Sequence, residues 1–180
     1  MQASRTARTN ANVRPILAAR AATDHPEREP LAPCARCGAN VPGGTEGCRK
    51  LFHAVLALEY GDPAYGAVHL LTVDAYALQH SEDHGPRSNA VHLLRLCMLL
   101  EHGGDPSIGQ NPHWFQAEVE TRRDIPYLEP PVDRGALTVA HVHGAATPEE
   151  HGERVYRWAR SVWEAYSAHH AWARRWLRER

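Results

Sequence analysis

From Ala64 to Gln79 the chain carries a single charged residue, Asp74. Its apolar residues Ala64, Ala67, Val68, Leu71, Ala75 and Leu78 recur at the three- and four-residue spacing of one helix face. The opposite face adds Val73 and Tyr76 beside His69 and His80. A helix that is apolar almost all round has to be covered on more than one side. This segment, predicted helical over 63–80, is therefore expected to be buried on more than one side. Asp74 and the two histidines then lie in low-dielectric surroundings and need polar partners.

The flanking sequence supplies the covering elements. Asp62 is placed to cap the central helix, with Pro63 at its first position. A helix over 46–60 gathers Cys48, Leu51, Phe52, Val55 and Leu58 on one face and stops at Gly61. A helix over 89–102 follows a Ser88 cap and ends at Gly103-Gly104, with Arg95 as its interior charge and His92 on the face of Leu96 and Leu99. Thr147-Pro148-Glu149-Glu150 reads as cap, first position and charged first turn of a long C-terminal helix over 148–178. Val155, Ala159, Val162, Tyr166, His169, Ala173 and Trp176 recur along it. Between these helices, residues 103–135 are broken by prolines, with a short helix expected near 113–122 and a capped turn at Thr138. Residues 1–30, rich in Arg, Ala, Thr and Pro, read as a flexible leader. The expected architecture is mainly α: a four-helix-bundle-like single domain over 31–180, with an N-terminal Cys knuckle at 31–48.

A chain of 180 residues with 43% apolar content sustains one such core. The net charge of −1 argues against a nucleic-acid or anionic-membrane surface, which needs a basic excess. No apolar run reaches the roughly 18 residues that cross a bilayer. Near the N-terminus, Pro15-Ile16-Leu17-Ala18-Ala19 is too short for a signal-peptide core. A cytoplasmic location follows.

Cys34-Ala-Arg-Cys37 is the sharpest chemical signal. Two thiolates two residues apart can grip one tetrahedral ion from the same side of a turn. Gly38 lets that turn close with its amides aimed at the sulfurs. Cys48, near the start of a helix, gains from the positive end of the helix dipole, which favours its thiolate. A fourth donor has to come from elsewhere. His80, at the end of the central helix, is the first candidate and His53 the second, although His53 stands about 140° round the helix from Cys48. In a reducing compartment this set reads as a Cys3His zinc site rather than a disulfide framework. Reduced surface thiols or a redox pair is the alternative.

A second constellation comprises His69, Asp74, His92, His169 and His170, spread over three predicted helices. Bundle cores bind metals through inward histidines and carboxylates from facing helices. A site with an open position would support a metal-dependent hydrolase or transferase-like activity. The plainer reading pairs Asp74 with Arg95 and leaves the buried histidines to satisfy backbone groups.

Several motifs in order also resemble an uncharacterised bacterial domain-of-unknown-function family over about residues 33–178. They are Cys34-Ala-Arg-Cys37-Gly38-Ala39, Asp62-Pro-Ala-Tyr65, Val68-His69 through Gln79-His80, Ala90-Val-His92-Leu, Tyr127-Leu-Glu129-Pro-Pro131, Leu137-Thr-Val, Trp158-Ala-Arg-Ser-Val-Trp163 and His169-His170. The resemblance implies an intact helical domain with a Cys knuckle and no established activity. The order of helices and histidines is also similar to the DinB-like metal-binding bundles, at the level of fold alone.

Overall fold

The structure is a computed structural model and describes residues 29–102, 121 and 125–178. The leader expected over 1–30 and the short helix expected near 113–122 lie outside the described residues, apart from Glu29, Pro30 and Thr121.

The described chain is mainly helical. A two-stranded antiparallel hairpin opens it, β1 (Leu31–Pro33) against β2 (Asn40–Pro42), with Ala32 opposite Val41. Helix α1 (Gly44–Gly61) follows directly. Gly47 is what lets them approach: a Cβ there would lie 1.7 Å from the Pro42 carbonyl oxygen.

The central helix expected as one piece is two: α2 (Pro63–Gly66) and α3 (His69–Gln79). Asp62 caps α2 as expected, its Oδ1 accepting from Ala64 N at 2.9 Å. The break follows from packing. Gly66 sits so close to α1 that a Cβ would lie 2.8 Å from the Glu59 carbonyl oxygen, and Val68 leaves the helical region with ψ 9°. Helix α3 is then re-aimed to pack against both α4 (Pro86–Glu101) and α6 (Pro148–Ala165).

Helix α4 begins three residues earlier than expected. Pro86 occupies its first position behind Gly85, so Ser88 is inside the first turn and turns its hydroxyl to His92 instead of capping. Helix α5 (Val139–Val142) is the capped turn expected at Thr138, with a reciprocal Thr138–His141 capping box. Thr147 caps α6, accepting from Glu150 N at 3.2 Å.

The long C-terminal helix is interrupted at Tyr166. A 3-10 turn (Ser167–His169) separates α6 from α7 (His170–Arg178), which folds back onto α4. Buried Tyr166 anchors the break by donating its hydroxyl to Leu78 O at 2.8 Å.

The core lies among α3, α4, α6 and α7. Leu78, Leu93, Leu94, Leu96, Trp158 and Val162 are fully buried, and Trp176 closes one end. Among the described residues no helix is long and apolar enough to cross a membrane.

Candidate metal centre

Cys34, Cys37, Cys48 and His80 converge: one donor atom from each lies within 4.8 Å of all the others. Cys37 Sγ and Cys48 Sγ are 3.6 Å apart. His80 Nε2 stands 3.6 Å from Cys34 Sγ and 3.7 Å from Cys48 Sγ. A tetrahedral ion with metal–sulfur bonds of about 2.3 Å and a metal–nitrogen bond of about 2.0–2.1 Å has donor–donor edges of about 3.6–3.8 Å. The three contacts match those edges, so these residues fit one tetrahedral cation.

Each donor is positioned by local structure. The turn between the strands is closed by Cys34 N donating to Ala39 O at 2.8 Å and Gly38 N donating to Cys34 O at 2.9 Å. Gly38 takes φ +74°, a left-handed value that other residues reach at a cost. Cys48 is the fifth residue of α1, near its positive end.

His80 sits just past the end of α3. Its Nδ1–H donates to Tyr76 O at 2.8 Å, which leaves the Nε2 lone pair for the sulfurs. The ring stacks on Tyr76 (centroids 3.9 Å apart), which stacks on Phe52 of α1 (3.7 Å). His53, the other candidate fourth donor, is exposed and outside the set.

The segment carrying His80 is held from several sides. Arg134 donates to Gln79 O at 2.8 Å and pairs with Glu82. Asn89 Nδ2 donates to Ser81 O at 2.9 Å. Arg36, between the two knuckle cysteines, reaches Asp83 at 3.3 Å and so ties the hairpin to this segment. Gln79 is fully buried: its amide donates to Arg134 O and Leu137 O, and its oxygen accepts from Trp158 Nε1–H at 3.0 Å.

The electrostatics follow from packing three sulfurs and an imidazole together. The hydrogen bond from Cys48 holds the Cys37 thiol down at about 4, against the opposing effect of burial, with His80 and the Ala39 backbone helping. The same hydrogen bond, with burial, pushes the Cys48 thiol up. Burial disfavours charge on His80, but hydrogen bonds to Cys37, Tyr76 O and Cys34 outweigh it and raise its pKa. A cation bound among these groups would displace protons from the thiols.

The second set of candidates is brought together only in part. Asp74 is fully buried and pairs with Arg95, as the plainer reading held, and also accepts from His92 Nδ1–H at 2.8 Å. His92 Nε2 in turn accepts from Ser88 Oγ at 3.2 Å. His69 lies elsewhere and donates to Glu59 at 2.9 Å. His169 donates to Glu129 O and His170 to Trp163 O, whose indole it stacks on at 3.7 Å. Among the described residues no three of these five share a ligand-sized volume.

Two buried groups were not singled out from the sequence. Glu59, 4% exposed, accepts from His69, from Thr72 Oγ1 at 2.5 Å and from His151 Nε2 at 2.9 Å. Leu58, expected on the apolar face of α1, is 39% exposed instead, and Glu59 takes the inward position. The available signals were that Glu59 follows Val55 by four residues and His151 precedes Val155 by four.

A family model described as a family of unknown function, DUF5946, matches residues 32–167. The chain belongs to the DUF5946 family. The match runs from the first strand of the knuckle to the turn after α6, so all four clustered donors lie inside the DUF5946 region and α7 beyond it. The description of DUF5946 carries no link to DinB-like bundles. No curated protein and no solved structure matches the chain.

Proposed function

We propose that this DUF5946 chain is a zinc protein whose Cys34, Cys37, Cys48 and His80 hold one structural ion. The observation that carries the reading is the match between the three donor contacts, 3.6 to 3.7 Å, and the edges of a zinc tetrahedron. Three thiolates and one imidazole select a soft, tetrahedral cation. Four protein donors leave no position for a substrate or water, as in structural rather than catalytic sites. The hairpin supports the reading: it has three-residue strands and buries little beyond Cys34, Ala39 and Val41. Metal binding replaces the core that so short a segment lacks. Thiols kept reduced as ligands suit the cytoplasm.

The test is metal analysis of the full chain purified in the presence of zinc. About one zinc per chain is expected, and Cys48→Ser and His80→Ala are expected to lose it while helical circular dichroism persists. A folded chain that takes up no stoichiometric metal contradicts the proposal.

A second reading, a hydrolytic enzyme, draws on the Ser88–His92–Asp74 hydrogen-bond chain, which has the order of a nucleophile, a base and an orienting carboxylate. Arg95 argues against it. Its guanidinium lies on the same Asp74 carboxylate and 3.2 Å from His92 Nδ1, where it opposes the imidazolium that a general base must become. Labelling of Ser88 by a fluorophosphonate, lost in His92→Ala, would reverse this preference.

A further inference from the structure

The four clustered donors are not equally protected. Cys34, Cys48 and His80 are 3%, 0% and 3% exposed, whereas Cys37 is half-buried. Cys37 also lines a cavity of about 380 Å³ beside the knuckle. Gly38, Ala39 and Asn40 form one wall, and Thr138 and His141 belong to the other. His141 Nδ1 accepts from Thr138 N at 3.0 Å, which places the proton of its neutral ring on Nε2. The wall opposite the knuckle therefore includes a proton-carrying side chain. A small polar molecule that enters this space meets one sulfur of the cluster and not the other two.

The geometry points to Cys37 as an oxidation site: a hydroperoxide reacts there, Cys48 resolves the product to a disulfide, and the metal site is dismantled. This inference rests on the zinc reading above and adds what the site responds to. In the first step the Cys37 sulfur attacks the nearer peroxide oxygen. The O–O bond breaks, and an alcohol or water leaves after taking a proton. The product is a sulfenic acid on Cys37. In the second step the Cys48 sulfur attacks Cys37 Sγ, the S–S bond forms, and hydroxide leaves as water. The sum is two thiolates, one hydroperoxide and two protons giving one disulfide, one alcohol or water and one further water. Two electrons pass from sulfur to peroxide.

Cys48 is the resolving partner because its sulfur is in direct contact with that of Cys37 at 3.6 Å, whereas Cys34 Sγ, within 4.8 Å of both, is held at 3.6 Å by His80 Nε2. Bond formation needs those sulfurs to close to about 2.05 Å. Cys34 and His80 then remain as donors, too few to hold a tetrahedral ion. Cys97 is fully buried in the helical core and is no part of the cavity wall, so it serves as an internal control.

The test treats the zinc-loaded full chain with hydrogen peroxide, follows released zinc with a chromophoric chelator, and maps disulfides by mass spectrometry after thiol blocking. The expected result is release of about one zinc per chain in step with a Cys37–Cys48 disulfide, with Cys97 recovered as a blocked thiol. Dithiothreitol and zinc are expected to restore the starting state, and Cys97→Ser to leave the course unchanged. Cys37→Ser also removes a zinc donor, so it is compared with the metal-free parent, against which its peroxide consumption is expected to fall at least tenfold. Zinc retained under full treatment with Cys37 unmodified, or a disulfide that includes Cys34, overturns the inference and leaves the structural-zinc reading standing. A chain that takes up no zinc overturns that reading, and the disulfide map of the same metal-free sample still decides whether Cys37 and Cys48 pair.

Discussion

Gly38 and Gly47 separate two reasons for glycine in one small motif. A Cβ on Gly38 would meet nothing within 4 Å, so only its φ of +74° restricts it. Gly38→Ala is expected to cost about 1 kcal/mol in chemical denaturation and to leave metal binding intact. A Cβ on Gly47 would collide with the Pro42 carbonyl backbone, which has no side-chain freedom to give way. Gly47→Ala is expected to cost about 3 kcal/mol and to weaken zinc affinity, because it pushes the hairpin off the helix that carries Cys48. Equal losses in the two variants, measured side by side, would sink the distinction. At this scale the sequence was informative wherever chemistry is local. Cys34-x-x-Cys37 needs only its own turn, and His80 stands at a helix end that periodicity locates. It was less informative where neighbouring residues compete for one place. Leu58 and Glu59 both adjoin the apolar stripe of α1, and the inward choice of Glu59 depends on His151, 92 residues away. Ser88 had the look of a cap, and only the position of Pro86 shows that the helix has already begun.

At the scale of elements, α3 is held by its last residues. Gln79 satisfies two loop carbonyls and the Trp158 indole at once, and Tyr166 satisfies Leu78 O. Gln79→Ala takes a partner from the buried Trp158 indole and from two half-buried loop carbonyls, and is expected to cost about 3 kcal/mol. It is also expected to raise the rate of metal loss to a chelator, since His80 is the next residue. Tyr166→Phe removes one hydrogen bond and is expected to cost about 1 kcal/mol, with the metal held as before. Urea titrations with and without zinc measure both, and a Gln79→Ala chain as stable as the parent would contradict this account of the helix end. The helical segments themselves were legible from periodicity and caps. The breaks at 67–68 and 166 were not, because nothing local forces them. One arises from the approach of Gly66 to α1 and the other from the anchoring of Tyr166 on α3, both contacts between elements that periodicity cannot see.

Across the whole molecule two kinds of support can be told apart. The helical core is buried apolar surface, and the proposed ion would hold the hairpin. Chelation of the zinc-loaded chain is therefore expected to expose the knuckle to proteolysis near residues 34–43 while helical content is largely retained. Acid pH probes a different link. Two hydrogen bonds from Arg174, with one from Trp163 Nε1–H, hold the Glu101 carboxyl at about 2 instead of its ordinary 4.5, and this joins α7 to the end of α4. A carboxyl lowered in the folded state contributes stability above its ordinary value, and that contribution fades as the pH falls from about 4.5 towards about 2. Glu101→Gln is expected to flatten this part of the stability profile and leave the neutral region parallel to the parent. An unchanged acid limb would show that α7 is held by its apolar face alone. The central claim, one cation held by three sulfurs and one imidazole, is tested most directly by X-ray absorption at the zinc edge of the loaded full chain. Three sulfurs at about 2.3 Å and one nitrogen at about 2.0–2.1 Å are expected. A first shell made of oxygen and nitrogen only, or one with fewer than three sulfurs, would contradict it.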